Sequence, residues 1–286
     1  MLKAWAFMVS ISPFRLLYVK SDFYFFLVYH VMHYRRKIVR ENLLRAFPEK
    51  DIVEIDAIGK NFYRNLCDVA VETIKGVRMT TDDIAKRVIV TNPEVVEALY
   101  AQRKSFFYAL PHSGNWEWFG KRMLTLSGHH PMAIYKKAHN ATFDRFLLEM
   151  RSNAQVEMIE SDGALRTLAR RSDTLDAVMV LADQSSLGHE SDYWNMFLNQ
   201  ETCWFTGLER MSKFLDYAVV FVSMRRIGRG RYELTFQTIT DNPKATETGF
   251  IMEQYSQHIE RFVHEQPDNW LWSHKRWKHT RKTTKP

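Results

Sequence analysis

The chain has 286 residues, 45% of them hydrophobic, which suffices for a full core in one large domain, and it carries a formal charge of +7 with a pI near 9.3. Its two cysteines, Cys67 and Cys203, show no C-x-x-C spacing, so neither a disulfide framework nor a cysteine zinc site is expected and a reducing compartment fits. The cations are scattered except at Arg35 to Arg40 and Lys275 to Lys285 and accompany no nucleic-acid-binding motif, so anionic lipid is the expected partner and nucleic acid is not.

Two apolar runs open the chain, Ala4 to Val19, interrupted by Pro13 and Arg15, and Phe23 to Met32, preceded by Lys20 and Asp22. Neither reaches the roughly 18 uninterrupted apolar residues of a spanning helix. No small-x-small cleavage site follows the first run, so a removable signal is not expected. The runs lead into His33-Tyr34-Arg35-Arg36-Lys37 and Arg40, the arrangement by which a segment lies in a bilayer interface and holds anionic headgroups. Buried core helices with a solvated basic end would leave the same pattern. Residues 1–50 are therefore expected to be a membrane-interfacial, amphipathic helical region, and residues 51–286 the main domain.

Ile55, Ile58, Phe62, Leu66 and Val69 recur every three or four residues and predict one amphipathic helix from Asp51 to Lys75, stopped by Gly76. A short helix is expected from Pro93 to Ala101. Beyond it, short apolar runs at Phe106–Leu110, Met132–Tyr135, Val156–Ile159, Ala177–Ala182 and Ala218–Met224 alternate with helical stretches at Trp116–Leu126, Ala141–Arg151, Ala164–Arg171 and Gly207–Leu215. That alternation predicts an α/β fold, a mixed and largely parallel central sheet flanked by helices. Gly228-Arg229-Gly230 turns the chain into Tyr232–Ile239 as an antiparallel hairpin at one sheet edge, and a last helix covers about Thr246 to His264.

The chemistry is expected at Pro111-His112-Ser113-Gly114-Asn115-Trp116-Glu117, where a buried strand ends, a glycine turn follows and a helix begins. In open α/β sheets ligands bind at that end of the strands. Four residues separate His112 from Glu117, enough for the turn to bring a carboxylate to the imidazole, fix its tautomer and favour the imidazolium formed when the ring takes a proton. Such a pair suits deprotonation of a hydroxyl attacking a carbonyl, with backbone N–H groups at the helix start as candidate oxyanion donors. On spacing alone His112 could equally cap a helix while Glu117 faces solvent. No metal is expected, because His129, His130 and His139 lack an i, i+4 carboxylate partner and should decorate loops. Ser113 lacks a G-x-S-x-G elbow, which argues against a serine nucleophile.

The stretch Pro111 to Glu117 resembles the His-x4-Asp/Glu signature of glycerolipid acyltransferases, in the Asn-Trp-Glu form of the lipid A biosynthesis lauroyl/myristoyl acyltransferases. Ile134-Tyr135-Lys136 through Phe143-Asp144 to Arg151, Leu181-Ala182-Asp183-Gln184, and the tail Asn269-Trp270-Leu271-Trp272-Ser273-His274-Lys275-Arg276-Trp277-Lys278 are similar to further segments of that family in order and spacing. The resemblance implies acyl transfer, from an acyl thioester of acyl carrier protein or coenzyme A, to a hydroxyl of a lipid A precursor at the cytoplasmic face of the inner membrane, with no cofactor. It implies His112 as general base, Glu117 as the group that orients it, and Arg151, Asp183 and Asn115 as substrate-binding or active-site polar residues. Trp194, Phe197 and Phe205 are candidates for an acyl channel. A lysophospholipid, amino-acid lipid or other glycolipid would serve the same base as acceptor, and a non-catalytic lipid-binding protein is the reading from another class. Acyl chain length and oligomeric state are not encoded in any of these motifs.

Overall fold

The computed structural model describes residues 2–137, 145, 151, 155–171, 173–185, 193–279 and 281. The N-terminal helices are α1 (Leu2–Ser10), α2 (Phe14–Phe25), running on into a π-helical turn Phe26–Val31, and α3 (Arg36–Ala46). All three lie against α4 (Ile52–Gly76). α4 begins where predicted because Asp51 and Glu54 form a reciprocal capping box, each side chain accepting the other's backbone N–H. It ends at Gly76, where a Cβ would come within 2.6 Å of the Trp118 indole nitrogen.

After α5 (Thr81–Ala85) come β1 (Val88–Val90), α6 (Glu94–Ala101), β2 (Phe106–Leu110), α7 (Trp116–Arg122), β3 (His130–Tyr135) and β4 (Glu157–Glu160). Then follow α8 (Ala164–Ala169), β5 (Asp176–Leu181), β6 (Tyr193–Phe197), β7 (Gln200–Trp204), α9 (Gly207–Leu215), β8 (Ala218–Gly228), β9 (Arg231–Thr240) and α10 (Phe250–Glu265). Seven strands form one sheet in the order β1-β9-β8-β2-β5-β3-β4. Every pairing in it is parallel except β8 with β9. β2 sits in the middle and buries all five of its residues, as a strand covered on both faces must. Phe107 and Ala109 face one core with α3, α4, α8, α9 and α10, while Phe106, Tyr108 and Leu110 face a second with α5, α6 and α7.

The mixed, largely parallel α/β architecture agrees with the sequence reading. Three details differ. The β8–β9 hairpin is one strand in from the edge, because the three-residue β1, too short to signal itself, pairs parallel to β9. The helix expected to run to Leu126 breaks at Arg122 into a 3₁₀ turn, Met123–Thr125. The β6–β7 hairpin was not foreseen: its Leu198-Asn199 turn has positive φ at both residues without the Asn-Gly or Asp-Gly that usually betrays it. The helix expected at Ala141–Arg151 lies outside the described residues except at positions 145 and 151.

Among the described residues no helix is long and apolar enough to cross a membrane. The N-terminal helices nevertheless expose apolar side chains in series: Phe7 and Met8 on α1, then Leu16, Val19, Phe23 and Phe26 at steps of three and four, then Val31 and Met32. Their opposite face is core, with Val9 and Leu17 set against Val71 and Ile74 of α4.

Candidate active site

β2 and β5 are parallel neighbours in register at Leu110 and Leu181. Two residues beyond that pair come His112 on one strand and Asp183 on the other, so the register itself sets them side by side at the carboxyl end of the sheet. Asp183 is 2% exposed and points wholly at His112 and its support. Its Oδ1 lies 2.5 Å from His112 Nδ1, and its Oδ2 accepts the His112 backbone N–H at 2.8 Å and the Trp270 indole N–H at 2.8 Å. Burial pushes the Asp183 carboxyl up, but the His112 ring, its hydrogen bonds and the Trp270 indole outweigh that and leave it below the usual carboxylate range. An ionised Asp183 accepts only, so Nδ1 carries the hydrogen and Nε2 presents its lone pair. Nε2 is met by the Gln184 amide nitrogen at 3.2 Å.

Glu117, the residue expected to orient His112, is held by Arg151. The Arg151 Nε donates to Glu117 Oε2 at 3.0 Å and its Nη2 to Oε1, a two-pronged ion pair. The carboxylate that the structure places at hydrogen-bonding distance from His112 is therefore Asp183 and not Glu117, a placement that follows from strand register. Sequence spacing alone cannot weigh a residue five positions away on a helix against one 71 positions away on the adjacent strand. His112, Glu117 and Arg151 all line one pocket of about 1270 Å³.

Asn115 is fully buried and serves elsewhere. Its Oδ1 accepts the Trp118 backbone N–H at 3.1 Å, capping α7, and its Nδ2 donates to Glu72. The Gly114 N–H is likewise taken by Asn269. The backbone donors suggested for an oxyanion are thus engaged at Gly114 and Trp118. Gly114 is required here, since its φ is +57° and a Cβ would lie 2.9 Å from the Met224 carbonyl oxygen.

The C-terminal tail braces the site. Leu271 N–H donates to the His112 carbonyl at 3.1 Å, Ser113 bridges to Trp270, and Ser185 N–H donates to His274 Nε2 at 3.1 Å. Burial pushes the His274 imidazole down to about 4, in keeping with a neutral ring that accepts. The tail is itself tied to the N-terminal helices, by Arg35 Nη1 on the Ser273 carbonyl and Asn42 Nδ2 on the carbonyls of Trp272 and His274.

The pocket lies across the strand ends between two rims. One is formed by Thr73, Gly76 and Val77 at the end of α4 with Lys121 of α7. Behind it Arg78 stacks on Phe7, and Lys75 donates to the Ser10 carbonyl, so α1 backs this wall. The other rim carries Leu165, Arg166, Phe205, Arg210 and Phe214, all exposed. Of the three aromatic residues proposed for a channel, Phe205 lines the pocket. Phe197 is in the core against Trp204 and Trp270, and Trp194 is on β6 outside the lining.

His130 is the first residue of β3 rather than part of a loop, whereas His129 lies in the bend just before it, as expected. His129 contacts Ser127 and the Lys104 carbonyl, and His130 contacts Glu157. His139 lies outside the described residues. Gln184 and Glu72 carry weaker sequence signals: Gln184 directly follows Asp183, and Glu72 with Asp68 makes an i, i+4 acidic pair inside an apolar helical face, where carboxylates are anomalous.

A family model described as bacterial lipid A biosynthesis acyltransferase matches residues 2–279, nearly the whole chain. No curated protein matches it.

Proposed function

Since the chain belongs to the bacterial lipid A biosynthesis acyltransferase family, it is an acyltransferase, and we propose that it moves a fatty acyl group from an acyl thioester to a hydroxyl of a lipid A precursor. The observation that carries the mechanism is the Asp183–His112 contact at 2.5 Å, which leaves Nε2 as the base. The acceptor hydroxyl replaces the Gln184 amide at Nε2, gives up its proton there, and its oxygen attacks the thioester carbonyl. Asp183 stabilises the imidazolium that results. The tetrahedral oxyanion, formed beside the Arg151 cation, collapses with cleavage of the C–S bond, and the departing thiolate takes the proton back from His112. Glu117 acts by holding Arg151 over the pocket.

We infer acyl carrier protein as the donor's carrier. The exposed Lys136, Arg166 and Arg210, interleaved with Leu165, Phe205 and Phe214, suit an acidic protein that delivers an apolar chain. The exposed apolar series on α1 and α2 suits peripheral attachment to the cytoplasmic face of the inner membrane, with α1 next to the opposite rim.

The test is turnover of a lipid A precursor with fatty acyl carrier protein by the purified full chain. His112→Ala should lower the rate on the order of 10³-fold or more. Wild-type turnover in that variant refutes the mechanism. Acylation of lysophospholipid but not of the lipid A precursor replaces the acceptor.

A further inference from the structure

Glu72 is fully buried on α4, no cation among the described residues lies at hydrogen-bonding distance from it, and donors from α2, β9 and the start of α7 converge on it. Its Oε1 accepts from the Tyr18 hydroxyl of α2 at 3.0 Å, and its Oε2 from the Tyr232 hydroxyl of β9 at 2.6 Å and the Asn115 amide at 3.2 Å. Its backbone carbonyl accepts the Trp118 indole N–H at 2.8 Å. A buried carboxylate with no cation bonded to it is expensive, and an apolar side chain would fill the space at lower cost. What an apolar side chain could not do is fix the amide of Asn115. With Nδ2 anchored on Glu72, Oδ1 has one direction left, toward the N–H of Trp118, and the first turn of α7 is locked in rotation about its axis.

That turn carries Trp116, whose ring stands edge-on 5.3 Å from His112, and Glu117, which holds Arg151. Its far end leads through Gly114 and Ser113 to His112 itself. Glu72 has no place in the pocket lining, so whatever it does for the reaction it does through Asn115.

We propose that Glu72 is a positioning residue: through Asn115 it sets the orientation of the α7 turn that places Trp116 against His112 and Glu117 on Arg151, and through Tyr18 it ties that turn to the N-terminal helix whose outer face is apolar. The inference rests on the reading of this turn as catalytic, and it is tested by a readout that does not need turnover.

The experiment compares Glu72→Met, Glu72→Gln, Asn115→Ala and the Glu72→Met/Asn115→Ala double variant of the full chain, by steady-state kinetics with acyl carrier protein thioester and lipid A precursor and by amide hydrogen exchange at Trp118. Glu72→Met should lower kcat by about ten- to a hundredfold with KM for both substrates unchanged, because a small misplacement of the turn suffices for a loss of that size. Glu72→Gln keeps an oxygen facing Asn115 and should restore most of the rate. The double variant should be no slower than Asn115→Ala alone, the mark of two residues acting through one contact. Trp118 N–H should exchange faster in both single variants that break the link. Wild-type kcat in folded Glu72→Met, multiplying losses in the double variant, or unchanged Trp118 exchange overturns the proposal. If Glu72→Met fails to fold, Asn115→Ala with wild-type kcat and exchange does the same. Faster exchange together with an active His112→Ala variant would leave Glu72 as a positioning residue and remove the His112 mechanism instead.

Discussion

The strand-end cluster and the N-terminal helices solve opposite problems. Around His112 a web of buried hydrogen bonds fixes the turn: Asp183 receives three, the Gly114 N–H is met by Asn269, and the tail closes over the turn. On α1 and α2 the outward face offers water a row of large apolar side chains and little to bond with. The difference teaches that the proposed reacting geometry is built in advance from buried hydrogen bonds, whereas the proposed attachment is left to surface that gains only when something apolar covers it. The two regions meet at a seam, where Asp68 of α4 accepts from Ser21 of α2 and from Arg226 and Arg229 beside the β8–β9 turn, and Arg229 also reaches Asp22.

Breaking the first region should cost the most. Asp183→Asn keeps the shape but removes the charge and the acceptor that hold His112 in one tautomer, so kcat should fall on the order of 10³- to 10⁴-fold, measured by the same acyl-transfer assay. Glu117→Gln should cost less, because it loosens Arg151 and leaves the His112–Asp183 contact in place. A larger loss from Glu117→Gln than from Asp183→Asn would reverse the roles assigned to the two carboxylates.

The seam comes next. Asp68→Ala strands Arg226, whose side chain is nearly buried, and should lower stability by about 3–5 kcal/mol, read as a denaturation midpoint. Burial pushes the Asp68 carboxyl up, but bonds from Arg229, Ser21 and Arg226 bring it below its ordinary value. Its contribution is therefore present above the ordinary carboxylate pKa and disappears only as pH falls through the lower folded value.

A pH titration sharpens the comparison, because the tail loses its hold well before Asp68 does. Burial brings His258 and His274 down to about 4, so in the unfolded chain each takes its proton at higher pH than in the folded one. Stability held at neutral pH should decline as pH drops from about 6.5 toward 4, with Tm as the measure. His274→Gln, which needs no deprotonated ring to meet Ser185, should flatten part of that slope; an unaltered slope would show that His274 does not contribute.

The smallest effects belong to the apolar face. Phe23→Ser and Phe26→Ser should leave turnover of a detergent-dispersed acceptor within about twofold, since surface substitutions away from bonded features cost little. Each should weaken binding to anionic phospholipid vesicles by up to about 1.5–3 kcal/mol, according to how deeply the ring inserts. Unchanged sedimentation with vesicles would remove this face from membrane attachment.

Much of this was already legible in the chain. Periodicity located α4, continuous apolar runs located the parallel strands, and Pro111 to Glu117 pointed to the candidate site, because each is a local pattern whose physics is complete within a few residues. The broken apolar runs likewise pointed to helices without the length and apolarity to cross a membrane, and none among the described residues has them. Which carboxylate serves His112 could not be settled that way. Asp183, Trp270, Gln184 and Glu72 reach the α7 turn from β5, the tail and α4, and only strand register and helix packing bring them there. A sequence sets which side chains are available and which segments coil or extend; the choice among distant partners belongs to the sheet, where moving a strand by one residue turns every side chain to the other face.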